Sequence, residues 1–241
     1  GINGQINTPI TTDGTYLYFG TWPGGSNAGT YYQVKLSDYS VKTFTPDSYG
    51  FYWAGAVSDG TNVYFGSDNG LLYWRSIADF DTTGGVLDLT DAGNVRSTVM
   101  LDDGYLYFTT QGGYLWCCSY DDGLTVEWHK KLGATSTSTP TKVGDRIYVG
   151  YYSGFNAGGV QCVSADGSSV KTVVEGDGFP VQSSIVVMGD GTGTDYLYFN
   201  TNAQKGVGYC YSYDGTTGSQ VWGTTGDTYA LGGMAIDNGY A

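Results

Sequence analysis

The chain has 241 residues and a formal net charge of −13, from 23 acidic and 10 basic residues. Such an excess of negative charge repels a phosphate backbone, so the composition argues against a nucleic-acid partner and against an anionic membrane surface. Charged residues make up only 14%, whereas Gly (40) and Tyr (23) are abundant, and this balance favours many short β-strands joined by glycine turns. No apolar run approaches the ~20 residues that cross a bilayer. The low charge, with many Ser, Thr, Tyr and Asn, predicts an extracellular or cell-surface protein.

One phrase recurs along the chain: an Asp/Gly turn followed by an apolar–Tyr–apolar segment, first seen as TDGTYLYFG (12–20). Its anchor tyrosines are Tyr18, Tyr64, Tyr107, Tyr148 and Tyr198, at spacings of 46, 43, 41 and 50 residues. A period of about 45 with strand-type alternation is typical of a β-propeller, which has one four-stranded blade per repeat. We therefore predict an all-β chain: a β-propeller of four-stranded blades with five repeats visible plus the start of a sixth.

Each repeat divides into four predicted strands, A to D, with the anchor tyrosine in strand B. We predict a single domain, 1–241, whose blades cover approximately residues 7–54, 55–96, 97–137, 138–182 and 183–230. Residues 231–241 match strand A, the Asp turn and the start of strand B of a further blade. An unpaired strand edge invites pairing. We therefore expect either a longer propeller, of which this chain is a part, or completion by another chain through strand addition.

Strand C, its turn and strand D resemble the repeat of quinoprotein-like β-propellers, in which a small residue precedes Asp-x-x-Thr-Gly and then Trp. The two best copies are YCYSYDGTTGSQVW (209–222) and CSYDDGLTVEW (118–128), and we assign their Trp222 and Trp128 a structural role. The resemblance implies two kinds of protein. Some members are dehydrogenases with pyrroloquinoline quinone and calcium on the propeller axis; others are cofactor-less scaffolds in outer-membrane assembly or on cell surfaces. Because one fold can serve different functions, the function has to be inferred from the individual residues.

Two of the four cysteines, Cys117 and Cys118, are adjacent in the sequence. The repeat alignment places Cys117, Cys162 and Cys210 at one small position of strand C in three successive repeats. Equivalent positions on neighbouring blades are too far apart for a disulfide, and a regular strand turns Cys118 to the opposite face. Quinone-bound members of the family carry a vicinal disulfide over the cofactor. Here we instead expect buried thiols with a packing role.

No pattern predicts catalytic residues or metal ligands. The only histidine, His129, falls on a predicted outer strand and not in a cleft. Most carboxylates lie in Asp–Gly turns, where turn geometry accounts for them. The pairs Asp102–Asp103 and Asp121–Asp122 could bind calcium through oxygen, but EF-hand spacing is absent. We therefore predict no cofactor, with calcium left open, and a chain that leans towards being non-enzymatic.

The D-to-A and B-to-C connections emerge at one end of a propeller, and here they are rich in aromatic residues. They read TWPGGSNAG (21–29), YGFYWAG (49–55), YYSGFNAGG (151–159) and DGFP (177–180). Aromatic rims with Asn and Gly suit sugar stacking or a protein hot spot. The alternative is that these rings pack between blades. The candidate binding residues are Trp22, Phe51, Tyr52, Trp53, Tyr151, Tyr152, Phe155 and Phe179.

These features together predict a non-enzymatic extracellular or cell-surface propeller that acts as a scaffold or binding module. The expected partner is a surface protein or a glycan, and self-association through an open blade edge is a further option. The alternative is a secreted enzyme, quinone-dependent or carbohydrate-active, whose catalytic residues lie outside this chain.

Overall fold

The structure is a computed structural model that describes residues 2–121, 123–226 and 229–237. In these ranges, twenty strands form five four-stranded antiparallel sheets, and the one helical segment is a 3-10 turn at Thr90–Ala92. Each sheet uses four strands that are consecutive in the sequence. The all-β class and the four-stranded units predicted from the repeat are therefore confirmed. The same residues contain no helix of the length and apolarity that a membrane span requires.

The first sheet contains β1 (Thr11–Thr12), β2 (Tyr16–Gly20), β3 (Tyr31–Lys35) and β4 (Val41–Phe44), and the second contains β5 (Val57–Ser58), β6 (Asn62–Gly66), β7 (Leu71–Ser76) and β8 (Gly84–Asp88). The third contains β9 (Met100–Asp102), β10 (Tyr105–Thr110), β11 (Tyr114–Ser119) and β12 (Thr125–Lys131). The fourth contains β13 (Thr141–Val143), β14 (Arg146–Ser153), β15 (Ala157–Ser164) and β16 (Val170–Asp177). The fifth contains β17 (Val186–Met188), β18 (Asp195–Asn200), β19 (Val207–Tyr213) and β20 (Gly218–Thr225).

The segment predicted to open a sixth blade is described only in part. Its residues 231–237 form none of the twenty strands. Residues 238–241, which include the predicted start of strand B, lie outside the described residues.

The anchor tyrosines occupy the same register in all five sheets. Their partners on the first strand of each sheet are, in chain order, Thr11, Val57, Met100, Thr141 and Val186. Because side chains alternate between the two faces of a strand, a common register places every anchor tyrosine on the equivalent face of its sheet. The repeat in the sequence is therefore a repeat of side-chain direction as well as of strand order.

Contacts divide the chain into two compact units. The first unit comprises Gly1–Gly112 and Trp116–Glu127, and the second comprises Gly113–Leu115 and Trp128–Ala241. The first and second sheets therefore belong to the first unit, and the fourth and fifth sheets to the second. Each unit has a hydrophobic core of its own.

The core of the first unit is largely aromatic. Tyr31 of β3 stacks on Phe65 of β6 with ring centroids 3.8 Å apart, and Phe51 lies edge-on to Tyr31 at 4.9 Å. All three side chains are fully buried. Each such ring contributes roughly 1.5–3 kcal/mol by burial, and edge-on geometry adds a smaller electrostatic gain.

The core of the second unit contains a buried ion pair as well as apolar side chains. Tyr148 of β14 packs with Leu197 and Phe199 of β18. Its hydroxyl donates to Asp195 at 2.6 Å, and the guanidinium of Arg146 donates to the same carboxylate oxygen at 2.8 Å. Asp195 is fully buried, so these contacts join the fourth and fifth sheets through a desolvated charge.

Candidate binding surface

Three of the eight predicted rim residues come together in the first unit. The ring of Trp22 lies edge-on to Tyr52 with centroids 5.0 Å apart, and Tyr52 is 4.6 Å from Trp53. All three side chains are half-buried, so each keeps part of its surface exposed to solvent. We refer to Trp22, Tyr52, Trp53 and Arg96, whose position is described below, as the aromatic cluster.

Two backbone hydrogen bonds to Gln5 fix the position of Trp22. Its N–H donates to Gln5 at 2.8 Å and its carbonyl accepts from Gln5 at 3.0 Å. The segment that carries Tyr52 passes close by at Gly50, where an added Cβ would lie 2.9 Å from the ring of Pro23 and 3.1 Å from the Cα of Trp22. A larger residue at Gly50 would push the two connections apart, so this glycine allows the rings to meet.

The second connection has an unusual backbone. Tyr49 and Trp53 have φ of 62° and 61°, a region that non-glycine residues rarely occupy. Between them, the fully buried Phe51 anchors the segment in the aromatic core. Such conformations cost about 1–3 kcal/mol each and persist only where packing over-determines them, often at ligand sites. The buried ring of Phe51 therefore holds Tyr52 and Trp53 in place at the surface.

Arg96, in the connection that precedes β9, packs against the ring of Tyr52 and forms an ion pair. The guanidinium of Arg96 lies 4.6 Å from the centre of the Tyr52 ring. Its Nε and Nη2 donate to the two carboxylate oxygens of Asp68 at 2.7 and 2.8 Å. Asp68 is 7% exposed, and its own N–H donates to the carbonyl of Gly50 at 3.0 Å. This bidentate geometry fixes the guanidinium plane against the ring.

Sequence reasoning missed Arg96 and Asp68. A signal was available, because Arg96 lies in a D-to-A connection, the same class of connection that supplied Tyr52 and Trp53. We restricted the candidates to aromatic residues, although arginine is equally typical of binding hot spots.

The structure buries two of the predicted rim residues. Phe51 has no exposed surface and belongs to the core of the first unit. Tyr151 is 5% exposed and lies within β14, not in a loop, with its hydroxyl donating to Glu175 at 3.1 Å. These two side chains are therefore buried and do not offer a surface.

The remaining candidates lie in the second unit in different environments. Phe179 is half-buried and stacks on Tyr209 with centroids 5.0 Å apart. Tyr152 is a half-buried residue near the end of β14. Phe155 is 63% exposed and lies 6.0 Å from the ring of the exposed Tyr229. The best-supported surface is therefore the aromatic cluster of the first unit.

All four cysteines are buried thiols outside any disulfide. Cys117 and Cys118 follow each other along β11, and the vicinal disulfide of quinone-bound propellers is not formed. Cys162 lies directly across from the anchor Tyr148, and Cys210 lies across from the anchor Tyr198 in the same way. Burial raises the pKa of Cys118 to about 12, so its thiolate is unavailable at neutral pH.

The tryptophans of the repeat contact neighbouring strands and turns. Trp128 of β12 lies against Gly167, where an added Cβ would come within 2.6 Å of the indole and φ is +69°. Trp222 of β20 pairs with Cys210 of β19, and its ring centroid is 6.1 Å from that of Tyr198. Trp128 of the third sheet and Gly167, in the turn between β15 and β16, thus form one packing contact.

No three His, Cys, Asp or Glu residues among residues 2–121, 123–226 and 229–237 are grouped as a metal site requires. Of the carboxylate pairs considered for calcium, Asp122 lies outside the described residues. His129 is exposed on β12, with its ring edge-on to Tyr114 at 5.5 Å.

The five four-stranded sheets and the likeness to solved structures define the chain as a β-propeller. No family model and no curated protein matches it. The chain is similar to BamB from Moraxella catarrhalis, with 12% identity, a TM-score of 0.55, and coverage of 97% of this chain and 80% of the other.

Two further solved structures, whose names indicate different proteins, are also similar to this chain. The WD40 propeller domain of Doa1 has 12% identity and a TM-score of 0.63, with coverage of 95% of this chain and 71% of that one. A Bacteroides fragilis protein that carries the name of a 6-phosphogluconolactonase has 13% identity and a TM-score of 0.64, with coverage of 95% and 72%. Identities this low establish the fold alone.

Proposed function

We propose that this propeller is a non-enzymatic binding module, extracellular or at the cell surface, and that its aromatic cluster takes a protein partner. One observation carries the proposal: three half-buried rings lie together at the surface, and Arg96, which pairs with the buried Asp68, is held over one of them, Tyr52. Trp, Tyr and Arg dominate the energetics of protein interfaces. Rings that are fixed before binding lose little conformational entropy when a partner docks.

A protein partner suits this surface better than a glycan. Arg96 lies over the ring of Tyr52, and Trp22 meets the same ring edge-on. Sugar stacking needs an open ring face, and the contacts of Tyr52 reduce what is available. The net charge of −13 favours a partner with a basic surface, because complementary charge accelerates encounter.

The test compares two alanine variants of the first unit. Trp53→Ala removes a ring of the aromatic cluster, and Tyr105→Ala, 40% exposed on β10, is the matched control. Each protein is immobilised and exposed to the extracellular protein fraction of the source cells, and bound proteins are identified by mass spectrometry. We expect Trp53→Ala to lower capture of the specific partner about thirtyfold, as loss of a 2 kcal/mol hot spot implies, and Tyr105→Ala to leave it unchanged.

Equal capture by Trp53→Ala and the unmodified protein would overturn the proposal, provided that both have the same melting temperature. A glycan array tests the alternative that this surface binds a sugar. Glycan binding that is abolished in Trp53→Ala but kept in Tyr105→Ala would assign the surface to a sugar instead of a protein.

A further inference from the structure

The described residues include two Asn–Gly dipeptides, Asn3–Gly4 and Asn69–Gly70; a third, at 238–239, lies outside them. In such a dipeptide the backbone nitrogen of the glycine can attack the side-chain amide carbon of the asparagine, because glycine has no Cβ to shield its nitrogen. The attack is slow where hydrogen bonds hold the amide or the glycine N–H in another geometry. The two described dipeptides differ in these bonds.

Hydrogen bonds and packing hold the dipeptide Asn69–Gly70 in the turn between β6 and β7. The half-buried side chain of Asn69 accepts a hydrogen bond at Oδ1 from the hydroxyl of Ser67. The N–H of Gly70 donates to the carbonyl of Ser67 at 3.4 Å. Gly70 is buried, and an added Cβ would lie 2.8 Å from the Cα of Thr90. Both groups that would have to react are therefore engaged in other contacts.

Asn3 and Gly4 lack these restraints. Both residues are exposed. Within the described part of the chain, neither the Asn3 side chain nor the Gly4 N–H makes a hydrogen bond. The amide group of Asn3 can therefore turn towards the Gly4 nitrogen without breaking a contact.

The eight Asp–Gly dipeptides of the sequence are poorer substrates for the same reaction. A carboxyl group is ionised at neutral pH, and its negative charge disfavours attack by a nucleophile. In five of the eight, the carboxylate also accepts the N–H of the residue two positions ahead, an Asx turn that fixes its orientation. The five are Asp13, Asp59, Asp166, Asp190 and Asp214.

We propose that Asn3–Gly4 is a site of spontaneous modification, at which the folded protein converts Asn3 to aspartate and isoaspartate. The Gly4 nitrogen forms a bond to Cγ of Asn3, its proton passes through solvent to the side-chain nitrogen, and ammonia leaves a cyclic succinimide. Water then adds to one of the two imide carbonyls, and the C–N bond at that carbonyl breaks. Opening at Cγ gives aspartate, and opening at the backbone carbonyl gives isoaspartate. Water is the only co-reactant.

Isoaspartate at position 3 would disturb the segment that holds Trp22. It adds one carbon atom to the backbone directly before Gly4, where an added Cβ would already lie 2.8 Å from the nitrogen of Pro23. The next residue, Gln5, forms both backbone hydrogen bonds with Trp22. We therefore expect these bonds to weaken, so that the amide hydrogen of Trp22 exchanges faster in the isoaspartyl form. The modification site is thereby coupled to the aromatic cluster.

The test follows both asparagines in one sample of the intact chain. The native protein is incubated at mildly alkaline pH in water enriched in heavy oxygen and digested, and the peptides are analysed by mass spectrometry. Enzymatic methylation detects isoaspartate. We expect Asn3 to convert at least about tenfold faster than Asn69, because Asn69 reacts only after local opening. In denaturant, where the contacts of Asn69 are lost, the two rates should agree within about threefold.

Two variants test the two positions separately. Asn3→Gln lengthens the side chain, which disfavours ring closure, and should abolish the product at position 3 while leaving Asn69 unchanged. Ser67→Ala removes the hydroxyl that donates to Asn69, and it should accelerate conversion of Asn69 in the native protein by about threefold or more.

Three results would each overturn the proposal: no isoaspartate at position 3, equal rates at Asn3 and Asn69 in the native protein, or a rate difference that persists unchanged in denaturant. The last result would assign the difference to neighbouring residues in the sequence instead of the fold. The coupling to the aromatic cluster is tested on the isoaspartyl form after separation by ion exchange. Unchanged exchange of the Trp22 amide hydrogen would overturn that coupling.

Discussion

Asp195 is the residue on which the second unit depends most directly. It is fully buried and accepts from Arg146 at 2.8 Å and from Tyr148 at 2.6 Å. Asp195→Ala would leave the guanidinium and the hydroxyl without their acceptor in a desolvated site. We expect the free energy of unfolding to fall by about 3 kcal/mol or more, as measured by urea denaturation.

The matched control for Asp195 is Asp177, an exposed carboxylate at the end of β16 in the same unit. Asp177→Ala should change the free energy of unfolding by less than about 0.5 kcal/mol. A loss below 1 kcal/mol in Asp195→Ala would contradict the structural importance of the buried pair.

The cysteines allow a second test at the scale of single residues. Burial raises the pKa of Cys118 to about 12 and that of Cys162 to about 11. Since only the thiolate reacts and all four thiols are buried, the native protein should resist Ellman's reagent at pH 8. All four should react rapidly in denaturant. Fast labelling of even one thiol in the native protein would show that its position is accessible.

At the scale of the element, a glycine two residues after the anchor tyrosine allows the following D-to-A connection to pack closely against the strand. An added Cβ there would come within 2.5 Å of a fully buried side chain in three of the sheets. The three pairs are Gly20 with Phe51, Gly66 with Val95, and Gly150 with Val181.

These short distances predict that a methyl group added at this glycine destabilises the protein. Gly66→Ala should lower the free energy of unfolding by about 2 kcal/mol, because its Cβ would lie 2.3 Å from a methyl carbon of Val95. Adding Val95→Ala should recover part of that loss, which a double-mutant cycle would measure. The control is Gly193→Ala, where an added Cβ meets nothing within 4 Å. An additive cycle would contradict the contact.

The turns between the third and fourth strands of a sheet should contribute to the pH dependence of stability in acid. Hydrogen bonds from the Thr216 hydroxyl and from the N–H groups of Thr217 and Thr216 lower the pKa of Asp214 to about 2. Bonds from Ser168 and Ser164 lower that of Asp166 to about 2 as well. Both values lie below the ordinary 3.8. The stabilisation is therefore complete above pH 4 and is lost as the pH falls towards 2.

The double variant Asp166→Asn/Asp214→Asn keeps a hydrogen-bond acceptor at both turns but removes the two titratable carboxyl groups. The free energy of unfolding should then depend less on pH between about 4 and 2. Urea denaturation at several pH values in this range measures the slope. A slope equal to that of the unmodified protein would contradict the assignment.

At the scale of the whole molecule, the chain has two compact units with separate cores. Phe199 is fully buried in the core of the second unit. Phe199→Ala should cost about 3–5 kcal/mol. It should accelerate hydrogen exchange in β14, β15, β18 and β19, because local stability depends on local packing.

The amides of β2 and β6, in the first unit, serve as the internal control for Phe199→Ala. Their exchange should change far less than that of β18 and β19 under native conditions. An equal acceleration in all of these strands, followed by mass spectrometry, would show that the two cores unfold as one.

The candidate site was predictable only in part, and one short segment shows why. Phe51, Tyr52 and Trp53 are consecutive aromatic residues, and a sequence pattern treats them alike. In the structure Phe51 has no exposed surface, whereas Tyr52 and Trp53 are half-buried. The difference depends on the left-handed conformation of Trp53 and on the contacts of Phe51 with Tyr31 and Phe65, which involve residues distant in the chain.

The sequence alone determined the strand order and the all-β class, because these follow from local chemistry: alternating side chains and Asp/Gly turns that repeat about every 45 residues. Tertiary structure decided which side chains form a surface. The ion pair of Arg96 with Asp68, which fixes the guanidinium against Tyr52, joins residues 28 apart. Such a feature depends on long-range packing, which no local pattern encodes.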